Sequence, residues 1–275
     1  MTIPDDESAT TGLPAPLRRE RIRRLIDERG FVRVSELRVS FGVSGVTARS
    51  DLDALVEAGA VRRVHGGAVP VPAGEATRPE REPSLEESLA ASVVPKQQIG
   101  QLAASLVSSG QSVILDVGST ALAVARALVA RTDLVDVVVI TNGLSIALEL
   151  EAAIPRFTVI VTGGSLRPLQ HSLVEPLAGT MLSHVHADIA FIGCNGVHPV
   201  RGVTNINLPE AGVKALMLGA AERAVVIADS SKLGQSQLGQ VGPLAAFDAL
   251  VTDAASAGNA LEQLKEAGLT VLMPE

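Results

Sequence analysis

The sequence contains one cysteine, five phenylalanines, and neither tryptophan nor tyrosine. A single cysteine excludes an intramolecular disulfide framework and a cysteine-rich zinc site. The shortage of aromatic rings argues against a protein that binds single-stranded nucleic acid by base stacking. The sequence also lacks an N-terminal hydrophobic signal region and any apolar run of membrane length, so we expect a cytoplasmic protein with no membrane partner.

Charge is distributed unevenly along the 275 residues, which allow a small domain and a medium one. The net charge is −7 overall, but residues 17–70 carry +4 and residues 71–275 carry −8. This division predicts a polyanion-binding head joined to a larger body that does not itself bind nucleic acid.

The stretch from Ser44 to Ala68 predicts a helix followed by a basic β-hairpin. Ser44 is a helix-capping residue, and Gly59 stands where a left-handed C-cap would end the helix. The apolar face of that helix consists of Ala48, Leu52, Leu55 and Val56. Taken alone, this pattern is equally compatible with an ordinary surface helix and hairpin.

The preceding residues change that balance. Residues 1–16 are acidic and proline-containing, and are predicted to be a disordered tail. Residues 17–29 predict a helix, and Ser35 is expected to cap a second, shorter helix that a tight turn joins to the helix at Ser44. Helix, short helix, tight turn, helix and wing is the order of a winged helix-turn-helix, which we place at residues 17–70.

This region resembles the DNA-binding signature of the DeoR family of bacterial repressors. The matching residues are Arg21-Ile22, Val34-Ser35-Glu36-Leu37, Phe41-Gly42-Val43-Ser44, Thr47, Arg49, Asp51-Leu52, Leu55, Gly59 and Arg63-Val64-His65-Gly66-Gly67-Ala68. The family usually has a β-branched residue at position 48 and an arginine at position 50. Here Ala48 thins the core, and Ser50 removes a phosphate or base contact.

The expected partner of this head is double-stranded operator DNA. Arg49 is the candidate for a bidentate guanine contact in the major groove. Ser44 and Thr47 are expected to bind phosphate or a thymine methyl group, while Arg62 and Arg63 attract phosphate from the wing. Asp51 is interpreted as an internal ion-pair partner of Arg49 or another arginine. His65 is interpreted as a structural turn residue, with a pH switch as the alternative.

Residues 71–92 are predicted to be a semi-extended, proline-rich linker with a helical pattern from Ser84. Residues 93–275 are predicted to be an α/β domain with a mostly parallel sheet, because apolar, β-branched runs alternate with helical stretches. The expected strands are 112–117, 135–140, 157–162, 188–193, 224–228, 247–252 and 270–273.

Polar residues and glycines gather after these strands, where α/β sheets bind ligands. They are Asp116, Gly118, Ser119, Thr120, Thr141, Asn142, Gly163, Gly164, Asn195, Asp229 and Lys232, with Glu210 and Lys214 nearby. One interpretation is that they only cap strand-to-helix turns. The other is a site for an anionic polyhydroxyl ligand, with the phosphate at Gly118, Ser119 and Thr120. Lys232 would add positive charge there or pair with Asp229.

From Lys96 to Asp253 the chain resembles the DeoR-family sensor domain, through D-V-G-S-T, T-N, G-G, the Glu210-to-Lys214 pair and D-S-S-K. That domain is similar in fold to ribose-5-phosphate isomerase, in which a Gly-Ala-Asp-Glu loop supplies essential carboxylates. Here the corresponding loop reads Gly193-Cys194-Asn195-Gly196. Glu210 is interpreted as an acceptor for ligand hydroxyls or as the partner of Lys214.

These patterns predict a transcriptional regulator, most simply a repressor of a carbohydrate-metabolism operon, controlled by a phosphorylated sugar or related metabolite. The resemblance implies a homo-oligomer, a dimer or a tetramer. No cofactor and no metal site are expected. The alternatives are a sugar-phosphate isomerase-like enzyme and a DNA-binding protein with a vestigial ligand pocket.

Overall fold

The computed structural model describes residues 13–57, 60–64, 66–70, 82–253 and 258–274. The predictions for residues 1–12, Gly59, His65 and residues 71–81 lie outside the described residues. The chain forms two compact units. The smaller unit comprises Met1–Arg81 and Ala90–Val93, and the larger comprises Glu82–Leu89 and Val94–Glu275.

The smaller unit contains three helices and a small antiparallel sheet among its described residues. The elements are α1 (Ala15–Arg29), β1 (Val32–Arg33), α2 (Val34–Phe41), α3 (Gly45–Glu57), β2 (Val61–Val64) and β3 (Gly67–Pro70). The strands are ordered β1-β3-β2, so the wing hairpin extends a sheet that β1 begins. The predicted winged helix-turn-helix order is therefore present, although α1 begins two residues inside the segment that was predicted to be a tail.

Local chemistry accounts for the helix ends in this unit. Gly30 adopts a left-handed conformation (φ 71°) and ends α1. At α3, the Ser44 hydroxyl accepts a hydrogen bond from the Thr47 amide at 3.1 Å, as the capping prediction requires. The prediction that Ser35 caps α2 was wrong. That helix begins at Val34, and the Glu36 carboxylate accepts the Arg33 amide at 3.0 Å.

The core of the smaller unit is apolar and closed around α3. Ala48, Leu52 and Leu55 are buried there against residues from the other helices and the wing. Val56 was placed on the same face but is 36% exposed. At 100° per residue, the position after Leu55 has already turned toward solvent.

One buried carboxylate ties α3 to α1. Asp51 accepts hydrogen bonds from the Arg18 guanidinium at 2.6 and 3.2 Å and from Arg19 Nε at 3.0 Å. Its side chain is only 2% exposed. The interpretation of Asp51 as an internal ion-pair partner is thus confirmed, and the arginines are on α1 rather than at position 49.

The larger unit alternates strands and helices. Its elements are α4 (Leu85–Ala90), α5 (Val93–Ser105), β4 (Ser112–Leu115), α6 (Ser119–Ala130), β5 (Val137–Thr141), α7 (Leu144–Leu150), β6 (Phe157–Val161), β7 (Ser165–Arg167), β8 (Ser172–Val174), α8 (Leu177–Leu182), β9 (Ala187–Gly193), β10 (Gly196–His198), β11 (Gly202–Asn205), α9 (Leu208–Gly219), β12 (Ala221–Ile227), β13 (Gly239–Gly242), β14 (Ala249–Val251), α10 (Gly258–Glu266) and β15 (Thr270–Leu272). Single 3₁₀ turns cover Glu151–Ala153, Ser230–Lys232 and Leu244–Ala246.

Seven of these strands form one parallel sheet in the order β15-β14-β12-β9-β4-β5-β6. Each of the seven predicted runs supplies one of them. Alternate strand residues face opposite cores, so Val113 and Leu115 pack with α5, α6 and α7, while Ile114 packs with α8, α9 and α10. The result is a three-layer architecture, and the predicted α/β domain with a mostly parallel sheet is confirmed.

The first strand in sequence, β4, lies inside the sheet between β5 and β9. The chain therefore runs outward from β4 to β5 and β6, and then returns to the other side of β4 for β9. Loops leaving β4 and β9 diverge in opposite directions, which opens the ligand-binding crevice of α/β sheets at their carboxyl ends. Two short additions lie outside this sheet and were not predicted, the β7–β8 hairpin and the β10-β11-β13 sheet.

We call Glu82–Leu89 the connecting segment because it leads the chain into the larger unit. It lies within the linker expected at residues 71–92, but its contacts assign it to the larger unit. Ser84 caps α4, since its hydroxyl accepts the Glu87 amide at 3.2 Å. The side chain of Leu85 is buried.

Within the described residues, no helix is long and apolar enough to span a membrane.

Replacing Asp51 with asparagine should destabilise the smaller unit by about 3 kcal/mol, because two arginines would lose a buried carboxylate. Asp53→Asn is the matched control. Asp53 lies two residues along α3 with a side chain 65% exposed, and its pair with Arg63 is solvent-screened. Chemical denaturation of both variants measures the difference. Equal loss of stability in the two would contradict a structural role for Asp51.

Candidate functional site

One face of α3 projects from the smaller unit. Arg49, Ser50 and Asp53 are exposed on it, next to the first turn of the helix. Val46, which the sequence analysis did not name, lies in the same turn and is 75% exposed. An exposed arginine beside an apolar side chain suits a base edge and a thymine methyl group in the major groove.

The hydroxyls of Ser44 and Thr47 lie at the start of this face and contact each other at 2.8 Å. On the wing, Arg62 and Arg63 are both exposed on β2. Arg63 also lies 3.5 Å from the Asp53 carboxylate of α3, so this ion pair joins the wing to the helix. The smaller unit therefore presents a cationic wing and the start of α3 together.

In the larger unit, the residue after β4 forms a buried ion pair. Asp116 is fully buried, and its Oδ2 accepts hydrogen bonds from the Lys214 ammonium of α9 and from the Gly193 amide at 2.9 Å. The carboxyl ends of β4 and β9 and the second turn of α9 thus converge on one carboxylate.

Burial by itself lowers the pKa of Lys214, but the carboxylates of Asp116 and Glu210 outweigh that effect and raise the pKa above its ordinary value. Burial also raises the pKa of Asp116, against the opposing attraction of Lys214. Because an ammonium is in direct contact with the carboxylate, we take Asp116 to be charged at neutral pH. The pair is an ion pair that depends on both partners.

Glu210, one turn before Lys214 on α9, is the centre of a second polar cluster. Its carboxylate accepts hydrogen bonds from the Arg167 guanidinium, from the Ser172 hydroxyl at 2.6 Å and from Asn205 Nδ2 at 3.4 Å. The alternative that Glu210 is the direct partner of Lys214 was wrong, because Asp116 takes that place.

Three buried side-chain oxygens among the described residues have no hydrogen-bond partner, and each follows a strand of the parallel sheet. Thr252 Oγ1 follows β14, and the other two lie together on adjacent strands. These two are Asp116 Oδ1 and Asn142 Oδ1, which follow the neighbouring strands β4 and β5. The other side-chain atom of Asn142, Nδ2, donates to the Leu173 carbonyl at 3.0 Å. Since an unpaired buried acceptor is costly, both oxygens suit a ligand that brings hydrogen-bond donors.

The first turn of α6 follows the same strand end. Gly118 precedes it with φ 114°, a conformation that strains any other residue, and directs the chain into the helix. Ser119 is buried and Thr120 is partly buried. Unpaired amides at the start of a helix attract anions, so this turn lies where a phosphate is expected beside Asp116.

The remaining predicted residues divide into two groups. Asp229 and Lys232 follow β12. Burial raises the pKa of Asp229, but Lys232 and Lys96, together with hydrogen bonds from Ser231, outweigh it and lower the pKa. The interaction of Lys232 with Asp229 is the alternative that the sequence left open. At the neighbouring Cys194, burial raises the thiol pKa to about 12, so the thiol is neutral and unsuited to redox sensing.

The second group shapes the backbone around the site, through two side-chain hydrogen bonds and two glycines. The Thr141 hydroxyl accepts the Gly143 amide at 3.0 Å, and Asn195 Oδ1 accepts the Ile206 amide at 3.0 Å. Gly163 and Gly164 both have positive φ angles. A Cβ on Gly164 would lie 2.0 Å from the Val174 carbonyl oxygen, so this glycine permits the close approach of the β7–β8 hairpin.

Comparison with known proteins identifies both units. Residues 18–71 match the model of the DeoR-like helix-turn-helix domain, and residues 92–254 match that of the DeoR C-terminal sensor domain. The chain belongs to the DeoR family of transcriptional regulators.

Individual relatives agree with this assignment. The chain is 34% identical to a putative aga operon transcriptional repressor of Escherichia coli O157:H7, over 93% of each chain. It is 27% identical to the glycerol-3-phosphate regulon repressor of Escherichia coli strain K12, over 85% of this chain and 88% of that protein. A ribose 5-phosphate isomerase structure from Methanocaldococcus jannaschii matches 50% of this chain and 52% of its own, with 22% identity and a TM-score of 0.37.

As a DeoR-family member the protein is a DNA-binding transcriptional regulator and not an enzyme, since both matching domain models and the named relatives are those of regulators. The loop after β9 also differs from the carboxylate-bearing loop that the isomerase alternative requires. The residues after β9 are Cys194 and Asn195, and Glu210 is already bound by a guanidinium.

Sequence reasoning missed three residues of the polar cluster, Arg167, Ser172 and Asn205. Arg167 and Ser172 lie on the β7–β8 hairpin and Asn205 ends β11, all outside the parallel sheet. The only sequence signal was the G-G pair before β7. A glycine pair indicates that another backbone segment comes close, but it does not identify that segment.

We expect Arg49→Ala to weaken operator binding about ten- to a hundredfold, which corresponds to losing one bidentate base contact. Binding to unrelated DNA should change much less. Arg126→Ala is a control that removes an exposed arginine from the larger unit. Gel-shift titration at fixed salt measures both, and equal effects of the two substitutions would remove Arg49 from base recognition.

Lys214→Met should destabilise the larger unit by about 3–5 kcal/mol, because it leaves the Asp116 carboxylate buried without a cation. The double variant Asp116→Asn/Lys214→Met should recover a substantial part of that loss. Denaturant titrations of the two single variants and the double variant form the cycle. Additive effects would show that the pair is not energetically coupled.

Proposed function

We propose that this regulator represses an operon of carbohydrate metabolism and that a phosphorylated sugar or related polyol phosphate controls its binding to DNA. The observation that carries the proposal is the pair of buried, unpartnered acceptors, Asp116 Oδ1 and Asn142 Oδ1, at the carboxyl ends of adjacent parallel strands. Ligand hydroxyls donate to such oxygens, whereas a bare inorganic anion has too few donors to satisfy both.

The phosphate is assigned to the first turn of α6. Gly118, Ser119 and Thr120 supply amides and hydroxyls there, beside the strand end that carries Asp116. The buried carboxylates already have Lys214 and Arg167 as partners, so the helix terminus is the better place for an added anion. The names of the relatives, which refer to an aga operon and to a glycerol-3-phosphate regulon, agree with a carbohydrate-related effector.

On DNA, we assign base contacts to Arg49 and Val46 and phosphate contacts to Ser44, Thr47, Arg62 and Arg63. Ser50, in place of arginine, leaves one fewer cation on the recognition helix. A homo-oligomer would place two heads on a symmetric site and raise a modest single-head affinity through effective concentration. We therefore propose that the active form is a dimer or a tetramer.

Thermal denaturation with ribose-5-phosphate, fructose-1-phosphate, glucose-6-phosphate and glycerol-3-phosphate tests the effector class. At least one compound should raise Tm progressively with concentration, because a ligand that binds only the folded state stabilises it. The unphosphorylated sugars and inorganic phosphate are the matched controls and should act more weakly.

Asn142→Ala should reduce the ligand-induced rise in Tm. Asn195→Ala is the control and should leave most of that rise, because the Asn195 side chain accepts a backbone hydrogen bond from Ile206. If no phosphorylated compound raises Tm in the wild type, the effector proposal fails and the vestigial-pocket alternative is favoured. If inorganic phosphate alone matches the sugar phosphates, the assignment of Asp116 and Asn142 to hydroxyls fails.

A further inference from the structure

The β7–β8 hairpin, residues 165–174, contacts the proposed effector site through both of its strands. Arg167 and Ser172 bind the Glu210 carboxylate. Leu173 brackets Asn142, since its carbonyl accepts from Asn142 Nδ2 at 3.0 Å and its amide donates to the Asn142 carbonyl at 2.8 Å. The position of the hairpin is therefore set by two residues of the site.

The same hairpin also holds the connecting segment. Arg167 Nη2 lies 2.7 Å from the Glu82 carboxylate, and Gln170 Nε2 donates to the Pro83 carbonyl at 2.5 Å. The Leu85 amide, at the start of α4, donates to the Leu169 carbonyl at 2.9 Å. These three contacts attach the beginning of the larger unit to the hairpin.

Burial makes these contacts sensitive to a ligand. Asn142 is 1% exposed and Asp116 is fully buried, so a ligand reaches their unpartnered oxygens only if the atoms that cover them move. The backbone amide and carbonyl of Leu173 both hydrogen-bond to Asn142. A ligand that engages Asn142 therefore has to be accommodated by a shift of the hairpin.

Arg167 forms ion pairs with both the polar cluster and the connecting segment. Its guanidinium is 18% exposed and is shared between Glu210, at 5%, and Glu82, at 12%. Away from solvent, such charges interact more strongly than surface pairs do. A shift of the hairpin at Asn142 therefore changes how the Arg167 guanidinium is shared between Glu210 and Glu82.

We propose that the β7–β8 hairpin transmits occupancy of the effector site to the connecting segment, with Arg167 as the positioning residue. This inference rests on the proposed function for its ligand. It names the element that must differ between the free and bound states, because a ligand shifts an equilibrium only through contacts that distinguish the two states. The connecting segment is the covalent route by which that difference reaches the DNA-binding unit.

The first arm of the test needs no ligand. Hydrogen–deuterium exchange of the full-length protein follows residues 84–90, in which the Leu85 amide reports directly on the hairpin. Glu210→Gln should accelerate exchange of that amide about tenfold, since one charge-assisted hydrogen bond is worth roughly that factor. Glu210 makes no hydrogen bond or ion pair with residues 84–90, so the effect has to pass through the hairpin.

Asp188→Asn is the matched control for this arm, because it neutralises a carboxylate that accepts hydrogen bonds from the Ser112 amide and hydroxyl at the amino end of β9, away from the hairpin. It should leave exchange at Leu85 unchanged. Ser172→Ala is a second site variant, which removes a single hydroxyl and should act in the same direction as Glu210→Gln if the latter folds poorly. Unchanged or slower exchange in both site variants overturns the proposal, as does an equal acceleration in Asp188→Asn.

The second arm adds the sugar phosphates of the thermal panel. Each compound that raises Tm should change exchange at residues 84–90 in the wild type. The change should be lost in Glu82→Gln and kept in Glu149→Gln, whose exposed partner is Arg126. Stabilisation of the wild type without any change at residues 84–90 overturns the transmission route alone. Absence of stabilisation refutes the effector proposal, while the ligand-free arm still decides the role of the hairpin.

Discussion

The larger unit depends on how it accommodates buried charge at the carboxyl edge of its parallel sheet. Asp116 and Lys214 satisfy each other there, and Glu210 is neutralised by Arg167. A buried ion is costly without its partners, so these two ion pairs hold the strand ends, α9 and the β7–β8 hairpin together in the free protein. Asp116 Oδ1 and Asn142 Oδ1 have no partner among the described residues, and these oxygens support the proposed polyhydroxyl effector.

The smaller unit also buries a carboxylate, but both of its oxygens are paired. Asp51 is buried and fully engaged by Arg18 and Arg19, which fixes α3 on α1. Arg49 and Ser50 are then left on the exposed face, with the arginines of the wing nearby. Internal pairing of Asp51 thus keeps a negative charge away from the surface that meets phosphate.

Much of the fold was predictable from the sequence, because buried parallel strands are continuous apolar runs and all seven were recognisable. The positions of Asp116 and Asn142 followed from the rule that ligands bind at strand ends. The pairings did not follow, since Arg167 and Ser172 lie on a short hairpin whose three-residue strands carry no periodic signal. Glu210 and Lys214 are one helical turn apart, so their spacing suggested an ion pair between them. In the structure Lys214 pairs with Asp116, which is distant in sequence.

The account makes the protein a regulator in which an effector site and a DNA-binding surface are thermodynamically linked. The most direct test is the affinity of the wild-type protein for operator DNA, measured by fluorescence anisotropy across concentrations of a sugar phosphate that raises its Tm. The account predicts that the apparent Kd moves with effector concentration and reaches a plateau, because linkage is bounded by the differential affinity of the effector for the two states. An apparent Kd that is the same at every effector concentration, with the effector demonstrably bound, would contradict it.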